Sequence, residues 1–148
     1  MEDVAVPQAT WPLTSERPAI RISLIAPNSG QPQGRTLRAD TGAGPRDAPF
    51  ELLLDEEDCL LFAAGTGPFV GLSGAYSGAH RTYVVRVVIP ELGFSQLVSA
   101  VGIGTTPAGF AGIAGFRFLN RFSYGNFGSA AAFGLENRTA LSSNADVD

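Results

Sequence analysis

A chain of 148 residues with a formal net charge of -4 is long enough for one domain that buries roughly 68–70% of its unfolded surface, so it needs no disulfide or metal to hold a core. All ten basic residues are arginine, which excludes a phosphate-binding Gly-Lys-Thr loop and a lysine Schiff base. An acidic, lysine-free chain also lacks the clustered positive charge that binds phosphate backbones, so nucleic acid is not an expected partner. With one cysteine and one histidine, an internal disulfide and the ordinary Cys/His zinc sites are excluded as well.

Residues 1–16, with Pro7 and Pro12 and little periodicity, read as a flexible N-terminal arm, part of which Trp11 would dock. A weakly alternating β-branched run over residues 19–25, a Pro-Asn-Ser-Gly turn at 27–30 and a return strand over 34–39 form an expected hairpin that delivers Asp40. Residues 50–54 are strand-like, and Asp55, Glu56, Glu57 and Asp58 open a short turn or helix, because acidic residues suit a first helical turn. That acidic run lacks the alternating ligands and glycine of a calcium loop, so it reads as a solvated surface turn. Cys59, flanked by Leu60, Leu61 and Phe62, reads as a buried, inert thiol.

Glycines then cluster at 65, 67, 71, 74 and 78. Their spacing misses the dinucleotide fingerprint and no long helical pattern follows. The better reading is a mobile β-hairpin with Gly74, Ala75, Tyr76, Ser77 and Gly78 at its tip and a return strand that carries Tyr83, Val85, Val87 and Ile89 on one face. Residues 71–75 approach a Gly-x-Ser-x-Gly elbow, but the strand-to-helix setting and a distant histidine are missing. The uncharged stretch 92–116 is broken by six glycines and Pro107, which argues against a membrane span and for a buried strand Phe94–Ile103, a turn, and a second strand entering Gly115. Phe116, Leu119 and Phe122, with Phe118 beside them, give one apolar side to a two-turn helix whose Arg117, Asn120 and Arg121 face elsewhere. Residues 129–135 form a last strand, and 137–148 a polar, disordered tail. No charged n-region with an apolar run is visible at the N-terminus, so the cytoplasm is the expected location by default.

Two segments carry the chemistry. Arg38-Ala39-Asp40-Thr41-Gly42-Ala43 sets an aspartate at a strand end on a Thr-Gly turn, where Gly42 lets the backbone donate an N–H to the carboxylate and Thr41 offers a short hydroxyl. About seventy residues downstream follows Gly112-Ile113-Ala114-Gly115-Phe116-Arg117-Phe118-Leu119. As a pair these resemble the Asp-Thr/Ser-Gly signature and the hydrophobic-hydrophobic-Gly motif of retropepsin-like aspartic proteases, the single-lobe retroviral type. Ala114 stands where relatives usually have Leu or Ile, and Arg117 where many have Asp or Pro.

The resemblance implies a mostly β fold over residues 17–136: a single-lobe acid-protease β-barrel with a glycine-rich flap hairpin and one short C-terminal helix. It implies that Asp40, Thr41 and Gly42 are catalytic, that Ala43 and the tip residues Gly74, Ala75, Tyr76, Ser77 and Gly78 bind substrate, and that Ile113, Ala114 and Gly115 support the site. The expected activity is endopeptidase, without metal or organic cofactor, on a peptide or protein substrate. One Asp-Thr-Gly in a chain of one-domain length makes the expected enzyme a homodimer, with residues 1–11 and 129–135 as candidate interface segments. A non-catalytic peptide- or protein-binding domain of the same fold is the alternative.

Overall fold

The computed structural model describes residues 6–138. The chain is mostly β. Its strands are β1 (Gln8–Pro12), β2 (Ala19–Ile25), β3 (Pro32–Ala39), β4 (Leu52–Asp55), β5 (Ala63–Leu72), β6 (Gly78–Ile89), β7 (Phe94–Ile103), β8 (Gly112–Ala114), β9 (Ser123–Gly125) and β10 (Ala132–Glu136). Helix α1 (Glu56–Phe62) follows β4, and a single helical turn, α2 (Phe116–Leu119), follows β8. Short 3-10 turns occupy Gly74–Tyr76 and Pro90–Leu92.

The large sheet runs β2-β3-β8-β4-β7-β6-β5, and pairing of β2 with β6 closes its first six strands into a barrel. Closure covers part of the β2 edge that an open sheet would expose, while β5, at the end of the order, keeps an outer edge. Neighbours pair antiparallel except β3 with β8 and β4 with β7, which run parallel. The three-residue strand β8 therefore lies between β3 and β4, and that position carries it beneath the turn containing Asp40.

Side-chain alternation along β4, β7 and β8 divides their residues between two cores. Leu52, Leu54, Ala100 and Ala114 join the main core with Val85, Val87 and Ile89 of β6, while Leu53, Val101, Ile103 and Ile113 turn the other way to meet Ala48 and Phe50. Ala43, Val70, Leu72 and Tyr76 pack on this second cluster. Each fully buried Leu or Ile contributes about 1.5–3 kcal/mol, so the same short strands hold up the barrel and the surface on which the Asp40 turn and the β5–β6 tip rest. Tyr83, Val85, Val87 and Ile89 are all buried, the face expected from their alternation.

Three expectations need correction. The stretch read as an N-terminal arm contributes β1, which pairs with β10 in a separate sheet, β1-β10-β9, and buries Ala9 and Trp11. The five residues of β1, Gln8–Pro12, are too few to show the alternation that decides this. Helix α2 is one turn, not two, and its buried side is Phe118 and Leu119, with Phe122 just beyond, while Phe116 is half-buried. Phe118, Phe122 and Phe94 form a cluster of tilted and edge-on rings with centroids 5.4–5.7 Å apart, and this tertiary packing rather than helical periodicity sets the geometry. The expected polar tail begins at a residue that belongs to the fold: Asn137 donates from its amide to the Pro7 carbonyl and from its side chain to the Leu92 carbonyl. The rest of that tail, from residue 139, and residues 1–5 of the arm lie outside the described residues.

The acidic run is capped and engaged. Asp55 accepts from the Glu57 amide at 2.8 Å as the N-cap of α1. Asp58 takes a two-pronged bond from Arg35 at 2.9 and 3.0 Å, and Glu56 accepts from the buried Tyr83 hydroxyl at 2.5 Å. Cys59 is fully buried in the main core, where burial first and the neighbouring carboxylates second push its thiol up to about 12, so it is not a nucleophile near neutrality. No helix among the described residues is long and apolar enough to cross a membrane.

Candidate active site

Strand β3 delivers Asp40 by backbone bonds on both sides: the Ala39 amide donates to the Pro18 carbonyl and the Asp40 amide to the Ala114 carbonyl. The chain then turns tightly, with the Ala43 amide donating to the Asp40 carbonyl at 3.1 Å. Inside the turn the Gly42 amide donates to Asp40 Oδ1 at 2.9 Å. A Cβ at Gly42 would lie 3.2 Å from that same oxygen, a crowded approach that glycine avoids. The carboxylate is thus oriented by its own loop while its side chain stays 32% exposed.

The loop is seated from below. The Phe116 amide donates to the Ala43 carbonyl and the Gly115 amide to the Glu51 carbonyl, at 3.0 and 2.9 Å. A Cβ on Gly115 would stand 2.8 Å from the Ala43 oxygen and 3.1 Å from the Glu51 oxygen, so glycine is required here by close backbone approach and not by a positive φ. Ala114 and Gly115 thereby act through backbone contact beneath the loop, whereas Ile113 reaches the cleft floor.

Opposite the loop stands the β5–β6 hairpin. Gly74 and Gly78 bracket its tip with φ of 75° and 121°, backbone that side-chain-bearing residues rarely adopt. Between loop and tip lies a cleft of about 500 Å³ lined by Asp40, Gly42 and Ala43 on one side and Gly74, Ala75 and Tyr76 on the other, with Leu53 and Ile113 below. Thr41, Ser77 and Gly78 are exposed and do not line it. The single histidine ties the tip down: His80 Nε2 lies 2.8 Å from the Tyr76 carbonyl and Nδ1 3.1 Å from the Gly102 carbonyl. A neutral imidazole has one N–H, so only the doubly protonated ring donates to both acceptors.

Four side chains at this site were given no role there from sequence. Glu51 is 2% exposed and takes a two-pronged bond from Arg121 at 2.5 and 2.9 Å; Arg121 also covers the Phe94 ring. Arg117 donates to the Ala48 carbonyl at 2.9 Å. Both arginines, expected to face elsewhere, brace the 43–51 segment through the short α2 region. A carboxylate between Phe50 and Leu52 was the available signal, since a buried charge needs a partner. Arg38 Nη2 donates to Asp40 Oδ2 at 3.2 Å. Its signal was the two-residue spacing at a strand end, which puts Arg38 and Asp40 on one face.

Comparison with protein-family models finds no match, and comparison with curated proteins finds none either. Among the described residues no three His, Cys, Asp or Glu side chains are grouped so as to hold a metal ion.

Proposed function

We propose that this chain is one subunit of a homodimeric aspartic endopeptidase of the retropepsin-like type, with the β5–β6 hairpin as its flap. The observation that carries the reading is the position of Asp40, oriented by the Gly42 amide in the cleft between a loop seated on Gly115 and a glycine-bracketed hairpin tip.

Peptide hydrolysis by carboxylates needs two of them around one water. The ionised group takes the proton of the water as it attacks the carbonyl carbon, and the protonated group donates to the developing oxygen. Two like charges at that separation share one proton, and its titration belongs to the pair. Each chain supplies one Asp-Thr-Gly, so the second carboxylate is the Asp40 of another copy. Exposure of Thr41 leaves its hydroxyl free to bond across the two-fold axis. An extended peptide lies strand-like in the joined clefts, closed over by Gly74, Ala75 and Tyr76. The interface segments suggested by sequence already pair with one another as β1 and β10, so the outer edges of the β1-β10-β9 sheet are what a second copy meets.

One observation favours a second reading, a peptide-binding domain of the same fold that does not cleave. Arg38 already engages the Asp40 carboxylate in the single chain. Sedimentation equilibrium alongside a peptide-hydrolysis assay separates the two. The endopeptidase reading expects hydrolysis that rises with the dimer fraction and is blocked by a statine-type transition-state mimic. A species that cleaves while monomeric at every active concentration contradicts the shared site, and binding without cleavage supports the second reading.

A further inference from the structure

From the geometry around Asp40 we infer that Arg38 is a specificity-determining residue that anchors a substrate carboxylate, an Asp or Glu side chain flanking the scissile bond. The inference rests on the endopeptidase reading for the position of that bond.

Three arginine–carboxylate pairs are present among the described residues, and they differ. Arg35 grips Asp58 through two nitrogens, and Arg121 grips Glu51 likewise. Arg38 reaches Asp40 through one nitrogen at 3.2 Å, longer than the usual 2.7–2.9 Å of a charge-assisted bond. A guanidinium has five N–H donors in a planar fork. Only one Arg38 bond is formed within the described residues, so its remaining N–H groups can donate to a second carboxylate without breaking the first.

Charge supports the same assignment. Of the residues lining the cleft only Arg38 and Asp40 are charged, and Phe50, Leu53, Leu72 and Ile113 make much of the rest apolar. In a dimer whose two Asp40 share one proton, two Arg38 cations face a single negative charge, which leaves the site net positive. A side-chain carboxylate from the substrate neutralises it. Since Arg38 touches the same carboxylate that takes the proton of the water in that reading, a carboxylate in its fork belongs to a residue next to the scissile bond, not to a distant one.

The test uses a randomised peptide pool, C-terminally amidated so that side chains supply the only carboxylates. Cleavage sites are read by mass spectrometry for the wild type, Arg38→Lys and Arg38→Met. In parallel, the same pool is retained on immobilised Asp40→Asn and on Asp40→Asn/Arg38→Met. The expected result is about tenfold or greater enrichment of Asp and Glu beside the cleaved bond, reduced in Arg38→Lys and lost in Arg38→Met, since the lysine keeps the charge without the fork. Cleavage without acidic enrichment, or with the same enrichment in Arg38→Met, overturns the inference and leaves the endopeptidase reading standing. If no peptide is cleaved, Arg38-dependent retention of acidic peptides upholds the anchor while the endopeptidase reading fails. Absence of both overturns both.

Discussion

Gly115 lies directly beneath Ala43: the carbonyl oxygen of Ala43 sits 2.8 Å from where a Cβ on Gly115 would be. The loop that orients Asp40 therefore rests on a surface with no room for one more carbon. Gly115→Ala forces the Ala43 carbonyl away and disturbs the Phe116 bond to it. The expected cost is about 1–3 kcal/mol, read in urea unfolding. A peptide-hydrolysis rate that falls further than the stability loss explains would show that Asp40 has shifted, whereas unchanged stability would mean that the loop yields freely.

The buried Glu51 carboxylate is tied to Arg121 at the far side of the same loop. Arg121→Met strands that charge, so unfolding should become easier by about 3 kcal/mol, the lower end for a broken buried pair because Arg121 itself is partly exposed. Replacing both residues with Leu should recover at least half of the loss. Equal losses for the single and double variants would show that the pair contributes through packing alone.

Tyr83 provides a pH test. Its hydrogen bond to Glu56, then burial and the Glu56 charge, push the phenol up to about 12. An unfolded tyrosine releases its proton near 10. The native state therefore keeps a proton that the unfolded chain loses, and this contribution to stability is whole below about pH 10 and disappears as pH rises through about 12. Ultraviolet titration should find one tyrosine ionising late, and Glu56→Gln should bring it down. Three tyrosines ionising together near 10 would refute the Glu56 contact.

His80 holds the hairpin tip through the Tyr76 carbonyl and the barrel through that of Gly102. In His80→Leu both contacts go. Hydrogen exchange at the Ser77 amide should accelerate about fivefold for each bond lost, at about 1 kcal/mol per bond, with β2 amides unaffected. Uniform acceleration would instead indicate general destabilisation.

The paired faces of β6, the span of β7 and the seating of Asp40 on a Thr-Gly turn were legible because period-2 alternation and turn chemistry act over a few neighbouring residues. Gly115 was legible from its motif. Arg117, Arg121 and Glu51 were not, since their roles depend on contacts across about seventy positions that no local pattern records. Strand β1 escaped because its alternation is short and its partner, β10, lies at the other end of the chain. The Arg38–Asp40 pair follows from strand geometry alone, but a motif ending in Asp-Thr-Gly directs attention forward from the aspartate rather than two residues back.

The most direct measurement is peptide hydrolysis by the wild type and by Asp40→Asn, with unfolding and sedimentation measured on both. Asparagine keeps an acceptor for the Gly42 amide and nearly the same shape but takes no proton from water. If Asp40 is the catalyst, the variant stays folded and dimeric while its rate falls on the order of 10²-fold or more. Equal cleavage by both proteins, insensitive to a statine-type mimic, would contradict that role.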